Sequence, residues 1–423
     1  IAGGLGYTYS GPRPSDGVTG PLWLLPLVAA ARLGLSTVAL AKALSLAASV
    51  VAAGAVVARA RRGAQGAQAA WWVALVCASS LPFVAWSVAG LETGLAALLT
   101  TWLSLAASRR CDVQAGVAVA ALAWLRPELA AFALVLLWSV RSQRAWVLAL
   151  WGALTVLAFR WSWFGHLLPM TASAKPAWLG HGVQYLAHAF VEPRVVLLAS
   201  SLGIALAYGD RRTRVLTLAL AAHALAVVLA GGDWMPARRL LVPVLPVTAW
   251  VVARGMRRFA LRRPRLAHAW IAAIAVLGLR ELGAELPALR EAGARREREL
   301  PRLVQLACGG GPIAMIDVGA LGVACPSQSI VDLAGLTEPA IAYARGGHLD
   351  KQVDERWLSE QRLRALVLHS RERPRMDVHG RLRWFAGYPV ERRVLSFALA
   401  RELRVRGVVE YAPSYFYVVL APR

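Results

Sequence analysis

Acidic side chains are scarce in the first 280 residues of the chain, and they are its strongest candidates for chemistry. Seven carboxylates stand there against 26 lysines and arginines, in a background rich in apolar residues. Charges near lipid are energetically costly, so those that occur there are usually functional or paired. Asp112 and Asp210 lie in arginine-rich segments, which is typical of solvated loop charges. The other five acids are Asp16, Glu92, Glu128, Glu192 and Asp233.

Asp233 lies in a short polar segment between two apolar runs. Residues 231 to 239 read Gly-Gly-Asp-Trp-Met-Pro-Ala-Arg-Arg, so Arg238 and Arg239 follow the acid closely. Guanidinium groups bind phosphate oxygens bidentately. A cationic cluster on the outer side also runs against the usual charge bias of membrane proteins. The pattern predicts that this segment binds a lipid-linked phosphate.

A second cationic segment runs from residue 160 to residue 175. It contains Arg160 and Lys175, and Lys175 is one of only three lysines in the chain. We expect both cations to contact the same phosphate, with His166 as a supporting residue. Trp161 and Trp163 in this segment are typical of the aromatic belt at the end of a span.

Two further polar positions interrupt apolar runs, and each has two interpretations. Glu92 follows a glycine between two runs. It is either a carboxylate that satisfies a helix N-terminus or an acid that lines an outward cavity. Arg126 and Glu128 flank Pro127 at a predicted helix break. They form either a buried structural ion pair or a pair that faces a ligand.

Apolar runs must position these residues. Hydrophobic residues make up 57% of the chain and charged ones 17%, and several runs approach the ~20 residues that span a bilayer. The runs cover residues 21–33, 35–58, 70–89, 93–107, 113–140, 145–163, 194–208, 213–231, 239–253 and 267–280. Arginine clusters follow only some of these runs, as expected for cytoplasmic loops. The net charge of +23 therefore favours a multi-span membrane protein and excludes a nucleic-acid partner.

This topology places the polar segments on the outside. Segments 90–93, 164–193 and 231–239 are predicted to face outward, together with everything after about residue 281. Run 21–33 is predicted to be an interfacial helix at the outer surface. Run 113–140 is too short for two full spans, so we expect a hairpin of shorter helices broken at Pro127.

Residues 281–423 have a different composition, with 17 of the 24 acidic residues of the chain. Strand-like runs at 313–318, 365–369 and 415–420 alternate with helical stretches at 339–344 and 355–363. The sequence thus predicts a membrane domain over 1–280 and an extracytoplasmic soluble α/β domain over 281–423. Cys308 and Cys325 either form a disulfide there or remain two buried thiols. The cysteine spacing predicts no metal site.

Several motifs, taken in their order along the chain, resemble the GT-C superfamily of integral-membrane glycosyltransferases that use polyprenyl-phosphate sugars. The resemblance is greatest to the branch that includes the mycobacterial terminal arabinofuranosyltransferase and related bacterial cell-envelope enzymes. The motifs are Gly4-Leu5-Gly6-Tyr7 with residues 18–23, Gly90-Leu91-Glu92-Thr93, Arg126-Pro127-Glu128, Phe164-Gly165 with Leu168-Pro169 and Lys175, Gly232-Asp233-Trp234-Met235-Pro236 with Arg238-Arg239, and residues 317–322 and 332–337.

The resemblance implies a mainly α, GT-C-like transmembrane bundle in the bacterial cytoplasmic membrane, with its site at the outer face. It implies transfer of a sugar from a polyprenyl-phosphate donor to an envelope glycan or lipid acceptor, without a nucleotide sugar. Asp233 and Glu92 would be the catalytic carboxylates, with a carboxylate as general base and cations stabilising the departing phosphate. The donor phosphate would contact Lys175, Arg238, Arg239, Arg160 and Arg126, with Glu128 and His166 in support.

The chain departs from the family pattern in two places. The family carries its principal acidic pair just upstream of the stretch that matches residues 4–7, so we expect that pair and the first span before Ile1. His166 and Met170 occupy positions where the family commonly has Asp and Asn, which leaves the donor preference open. No cofactor is evident, and a divalent cation held by the upstream pair stays open.

Two other functions remain as alternatives. A transporter or flippase for lipid-linked sugars would share the outer cations, but it would be expected to show paired inverted repeats, which we do not find. An inactive relative that only binds the polyprenyl lipid is the other alternative. In every case membrane lipids surround the chain.

Overall fold

The computed structural model describes residues 14–62, 66–376 and 382–422. The predicted motif at residues 4–7 and the expected upstream acidic pair lie outside these residues. The described chain is mainly helical, with a small sheet near its C-terminal end. The helices before the sheet are α1 (Pro21–Arg32), α2 (Thr37–Ala60), α3 (Gly66–Ala78), α4 (Leu81–Ser87), α5 (Thr93–Arg109), α6 (Asp112–Leu125), α7 (Ala130–Val140), α8 (Gln143–Phe164), α9 (Met170–Ala174), α10 (Leu179–Phe190), α11 (Pro193–Tyr208), α12 (Arg211–Leu229), α13 (Leu245–Ala260) and α14 (Pro264–Ala307).

Five helical segments are long and apolar enough to cross a membrane. They are α2, α8, α12, α14 and the segment Arg239–Ala260, in which a 3-10 helix (Arg239–Val244) leads into α13. Two bent helix pairs also qualify if each is counted as one span: α3 with α4, bent by 69°, and α10 with α11, bent by 96°. The prediction of a mainly helical chain with several helices long and apolar enough to span a membrane is therefore confirmed.

The predicted break at Pro127 is present. Helix α6 ends at Leu125, Arg126 is extended at φ −150°, and a 3-10 turn Pro127–Leu129 leads into α7. A proline disfavours helical backbone in the residue before it, which explains why α6 ends there. Since α6 and α7 have 14 and 11 residues, each is shorter than a span of ~20 residues.

Small residues let the helices of the bundle approach closely. A Cβ atom added at Gly94 of α5 would collide with the Ser45 carbonyl of α2. One added at Gly152 of α8 would collide with Ala120 of α6. Such contacts are typical of membrane helices, where close backbone packing replaces the hydrophobic driving force.

Helix α14 connects the bundle to the sheet. It has 44 residues, or about 66 Å at ~1.5 Å per residue, which is about twice the thickness of a bilayer core. The helix runs without interruption through the predicted domain boundary at residue 280. Its last turns lie on the sheet, where Leu303 and Ala307 are buried.

The C-terminal sheet is mixed, with the strand order β2-β1-β3-β7-β6. Strands β1, β2 and β3 are parallel, whereas β7 pairs antiparallel with both β3 and β6. The elements are β1 (Ile313–Met315), α15 (Val318–Ala324), β2 (Ile330–Asp332), α16 (Pro339–Ala342), α17 (Glu355–Glu360), β3 (Ala365–Ser370), β4 (Arg375–Met376), β5 (Leu382–Arg383), α18 (Pro389–Ser396), α19 (Ala398–Arg401), β6 (Arg404–Ala412) and β7 (Tyr415–Ala421). Strands at all three predicted strand-like runs and helices within both predicted helical stretches are confirmed.

A disulfide joins Cys308, just after α14, to Cys325, just after α15. This is one of the two states that the sequence left open for these cysteines. The bond ties the end of the long helix to the loop that leads into β2.

The C-terminal part docks on the bundle beside α9. The Lys351 side chain is buried and its Nζ donates to the carbonyl oxygens of Ser173, Ala342 and Ala344. Met170 and Ala174 of α9 also form a small buried apolar cluster with Ala342. These contacts place the segment between α16 and α17 against α9, which lies in the second cationic segment singled out in the sequence.

Candidate functional site

The loop that carries Asp233 has an unusual backbone. Gly231 and Gly232 leave α12 with φ of +86° and +71°, and Ala237 and Arg238 also have left-handed φ of +52° and +49°. Non-glycine residues rarely adopt this conformation, and where they do the strain is often at a functional site. A Cβ atom at Gly232 would lie 2.6 Å from the Cβ of Tyr185. Glycine is thus required there by both conformation and space.

Two cations converge on the Asp233 carboxylate. Arg239 Nε donates to Oδ2 at 2.9 Å, and Lys175 Nζ lies 3.9 Å from Oδ1. The Asp233 side chain is only 3% exposed, although it lies at the end of the bundle. The structure therefore brings three of the predicted site residues together, with Lys175 coming from a different segment than Asp233 and Arg239. We call this group the Asp233 cluster.

Two tryptophans hold the cations of the Asp233 cluster in place. The Arg239 guanidinium lies 5.9 Å from the ring centre of Trp86, whose indole N–H donates to the Ala237 carbonyl at 3.2 Å. Lys175 Nζ lies 5.5 Å from the ring centre of Trp234. Cation–π contacts of this kind are stronger where the cation is partly desolvated. The aromatic rings thus position both cations beside the same carboxylate.

His348 is the residue of this region that the sequence did not reveal. It comes from the C-terminal part, its ring centre lies 6.0 Å from that of Trp234, and neither ring nitrogen has a hydrogen-bond partner among the described residues. Burial, with a contribution from Lys175, lowers the pKa of His348 to about 4, so the ring is neutral at pH 7. In the sequence His348 follows two glycines, and nothing in that context indicates a function. Only the fold brings it close to the Asp233 cluster.

The Lys175 amine is also perturbed. Burial lowers its pKa to about 8; Asp233 opposes this shift, and Arg239 adds to it. Lys175 stays mostly protonated at pH 7 but loses its proton in mildly alkaline solution. Its charge is therefore sensitive both to pH and to any anion that binds beside it.

The buried Arg126 forms a triad with two partly buried acids. Its guanidinium lies 2.8 Å from Glu92 and 3.0 Å from Glu128, and it also donates to Thr93 at 3.3 Å. Glu92 makes no side-chain capping bond to α5. The sequence treated Glu92 and the Arg126–Glu128 pair as separate positions. The structure instead places all three charged residues in one ion-paired group. The triad also interacts electrostatically with the Asp233 cluster through Arg239.

Arg160 and His166 belong to a different group. Arg160 pairs with Asp16, which is 3% exposed, and it donates to the Thr19 carbonyl at 2.8 Å. His166 Nδ1 lies 4.0 Å from the Asp16 carboxylate. Arg160 thus ties the end of α8 to the segment before α1, and its phosphate contact stays a prediction. Asp16 was noticed in the sequence only as one of the few acids.

Arg238 also turns away from Asp233. Both of its terminal nitrogens donate to Glu192, at the bend between α10 and α11. Arg238 thus pairs with Glu192, whereas Arg239 pairs with Asp233. Of the two adjacent arginines, only Arg239 contacts the Asp233 carboxylate. The pair with Glu192 closes the loop against the bent helices.

In residues 14–62, 66–376 and 382–422 there is no group of three His, Cys, Asp or Glu side chains that could hold a metal ion. The divalent cation that the sequence left open therefore stays open. Comparison of the chain with protein-family models, with curated proteins and with solved structures finds no match in any of the three.

Proposed function

We propose that this protein is a membrane glycosyltransferase that moves a sugar from a polyprenyl-phosphate donor to an envelope glycan or lipid acceptor. One observation carries the proposal: Lys175 and Arg239 converge on a nearly buried Asp233 at the end of an apolar helix bundle. A carboxylate beside two cations suits a reaction that takes a proton from one substrate and releases phosphate from another.

The charge of the Asp233 cluster suits such a donor. One carboxylate and two cations leave one net positive charge, whereas the phosphodiester of a polyprenyl-phosphate sugar carries one negative charge. When the sugar leaves, its C1–O bond breaks, the electron pair stays on the phosphate oxygen and the phosphate gains a second negative charge. Lys175 and Arg239 would stabilise that developing charge.

Asp233 is the proposed general base. Its Oδ1 lies 3.9 Å from Lys175, beyond hydrogen-bond distance, so this oxygen is not neutralised by a direct bond from the amine. The acceptor hydroxyl would form the new bond to C1 while its proton passes to Asp233. Glu92 pairs with Arg126 and also interacts electrostatically with Arg239. Its negative charge would offset part of the positive charge around Arg239.

The C-terminal part would present the acceptor over this site. His348 reaches the Asp233 cluster from that side, and Lys351 anchors the same loop to Ser173. We assign this end of the bundle to the outer face of the bacterial cytoplasmic membrane. The arginine-rich loops at the other end and the disulfide, which is typical of oxidising compartments, support this assignment.

Binding of the lipid carrier tests the proposal without knowledge of the sugar. The purified protein is titrated with undecaprenyl phosphate and, as the matched ligand, with undecaprenol. We expect specific binding of the phosphate form alone, weakened roughly tenfold or more by Lys175→Gln and by Arg239→Gln, since each removes a charge-assisted contact.

Arg290→Gln is the control, because it removes an exposed cation from α14 and should leave binding unchanged. Equal binding of undecaprenol and undecaprenyl phosphate would contradict a phosphate site. So would equal binding by the wild type and both cluster variants. A transporter would pass this test but would not transfer sugar, so an assay of sugar transfer distinguishes the two functions.

A further inference from the structure

A crevice opens at the opposite end of the bundle from Asp233. It encloses about 600 Å³, counting the part open to solvent. Its walls come from the last turn of α5, the last turns of α7 and the first two turns of α12. The lining residues are Ala107, Ser108, Arg110, Leu136, Ser139, Arg211, Arg212, Val215 and Leu216.

The crevice and the Asp233 cluster occupy opposite ends of the same helices. Helix α5 begins at Thr93, beside the Arg126 triad, and ends at Arg109 after about 25 Å. Helix α12 begins at Arg211 and ends just before the Asp233 loop. The crevice is therefore separate from the site described above, and what it binds does not depend on the proposed transferase function.

The crevice has two chemically different parts. Its floor is apolar, with Leu136 and Leu216 buried and Val215 partly buried. Its rim carries three exposed arginines, Arg110, Arg211 and Arg212. A ligand that fills it must combine an anionic group with an apolar part.

The rim arginines have no carboxylate within 4 Å in the part of the chain that the structure describes. The nearest acid in sequence, Asp210, caps α12 through Thr213 and pairs with Arg254 at 2.7 Å and Arg258 at 3.6 Å. The positive charge of the rim is thus left for an external partner. Additional arginines at this end of the bundle, such as Arg59, increase the local positive potential.

We propose that this crevice binds the headgroup of an anionic phospholipid, with the phosphate on the rim arginines and the glycerol and upper acyl chains on the apolar floor. Basic pockets between membrane helices bind anionic headgroups in this way, and each arginine contributes attraction that is screened by salt. A free phosphate would satisfy the rim but would leave the apolar floor uncovered.

The test compares lipid binding by two variants that lose the same charge. The full chain is reconstituted in nanodiscs of phosphatidylcholine with 20% phosphatidylglycerol, and the phospholipid retained on extraction is counted by native mass spectrometry. Arg110→Gln/Arg211→Gln/Arg212→Gln removes the rim. Arg62→Gln/Arg263→Gln/Arg265→Gln removes three exposed arginines outside the crevice but at the same end.

We expect the wild type and the control to retain phosphatidylglycerol, and the rim variant to retain roughly tenfold less. If the rim variant does not stay monodisperse, Arg211→Gln/Arg212→Gln is compared with Arg263→Gln/Arg265→Gln. An equal loss in both variants, or no loss in either, would overturn the proposal. Equal competition by inorganic phosphate and phosphatidylglycerol would also overturn it, because it would show that the rim alone selects the ligand.

Discussion

The two ends of the helix bundle use charge in different ways. At the Asp233 end, each group pairs one nearly buried charge with partly buried partners: Asp233 meets Lys175 and Arg239, and Arg126 lies between Glu92 and Glu128. At the other end, exposed arginines outnumber the acids and line an open crevice. Buried charges require a specific geometry, because an unpaired one is costly, whereas exposed charges require only the right sign. The first arrangement suits chemistry, and the second suits attraction to an anionic surface.

The largest expected difference between the two ends is in stability. Arg126→Gln should lower the free energy of unfolding by about 3–5 kcal/mol, because it leaves the Glu92 and Glu128 carboxylates without their common cation. Arg212→Gln, at the exposed end, should change it by less than about 0.5 kcal/mol. Both are measured by denaturant titration in the same detergent. Equal effects would show that the two ends do not differ as described.

Backbone conformation offers a second comparison. Gly232→Ala should cost about 1–3 kcal/mol, since the new side chain meets Tyr185 in a left-handed conformation. Arg141→Gly, at a φ of +56° at the other end, should leave stability unchanged or raise it by up to about 1 kcal/mol. The same titration measures both variants. A tolerated alanine at Gly232 would mean that the Asp233 loop does not need its present shape.

The apolar runs predicted much of the helical framework, because long uninterrupted hydrophobic stretches have few alternatives. Runs 35–58 and 213–231 correspond to α2 and α12. Hydropathy did not reveal that α14 continues to Ala307, because residues 281–307 are polar and charged. It also missed α10, which carries histidines and glycines within the predicted outer segment.

The site was predictable only where its residues are close in sequence or rare in type. Asp233 and Arg239 are six positions apart, and Lys175 stood out as one of three lysines. The acids that pair with the other predicted phosphate-binding arginines were not predictable, because those pairs depend on tertiary contacts. Asp16 is 144 positions from Arg160, and Glu192 is 46 positions from Arg238. The approach of His348 likewise depends on how the C-terminal part docks.

The pH dependence of the Asp233 end gives a smaller but sharper test. Burial lowers the pKa of Lys175 to about 8, so its charge is present below that pH and is lost as the pH rises through it. Affinity for undecaprenyl phosphate should therefore fall as the pH rises above 8 and level off near the affinity of Lys175→Gln, because Arg239 keeps its charge. Lys175→Arg should keep its affinity to higher pH, because arginine does not titrate there. If the affinity falls equally at alkaline pH in the wild type and in Lys175→Arg, deprotonation of Lys175 is not the cause.

Transfer of sugar by the reconstituted protein tests the central claim most directly. The wild type, Asp233→Asn and the exposed-acid control Glu285→Gln are placed in liposomes with an envelope glycan acceptor and polyprenyl-phosphate-linked arabinofuranose, mannose and glucose in turn. The release of polyprenyl phosphate and the glycosylated acceptor are then quantified. We predict that the wild type and the control transfer one of these sugars and that Asp233→Asn is slower by about a hundredfold or more. Transfer at the wild-type rate by Asp233→Asn, or none from any of the three donors by the wild type, would contradict the account.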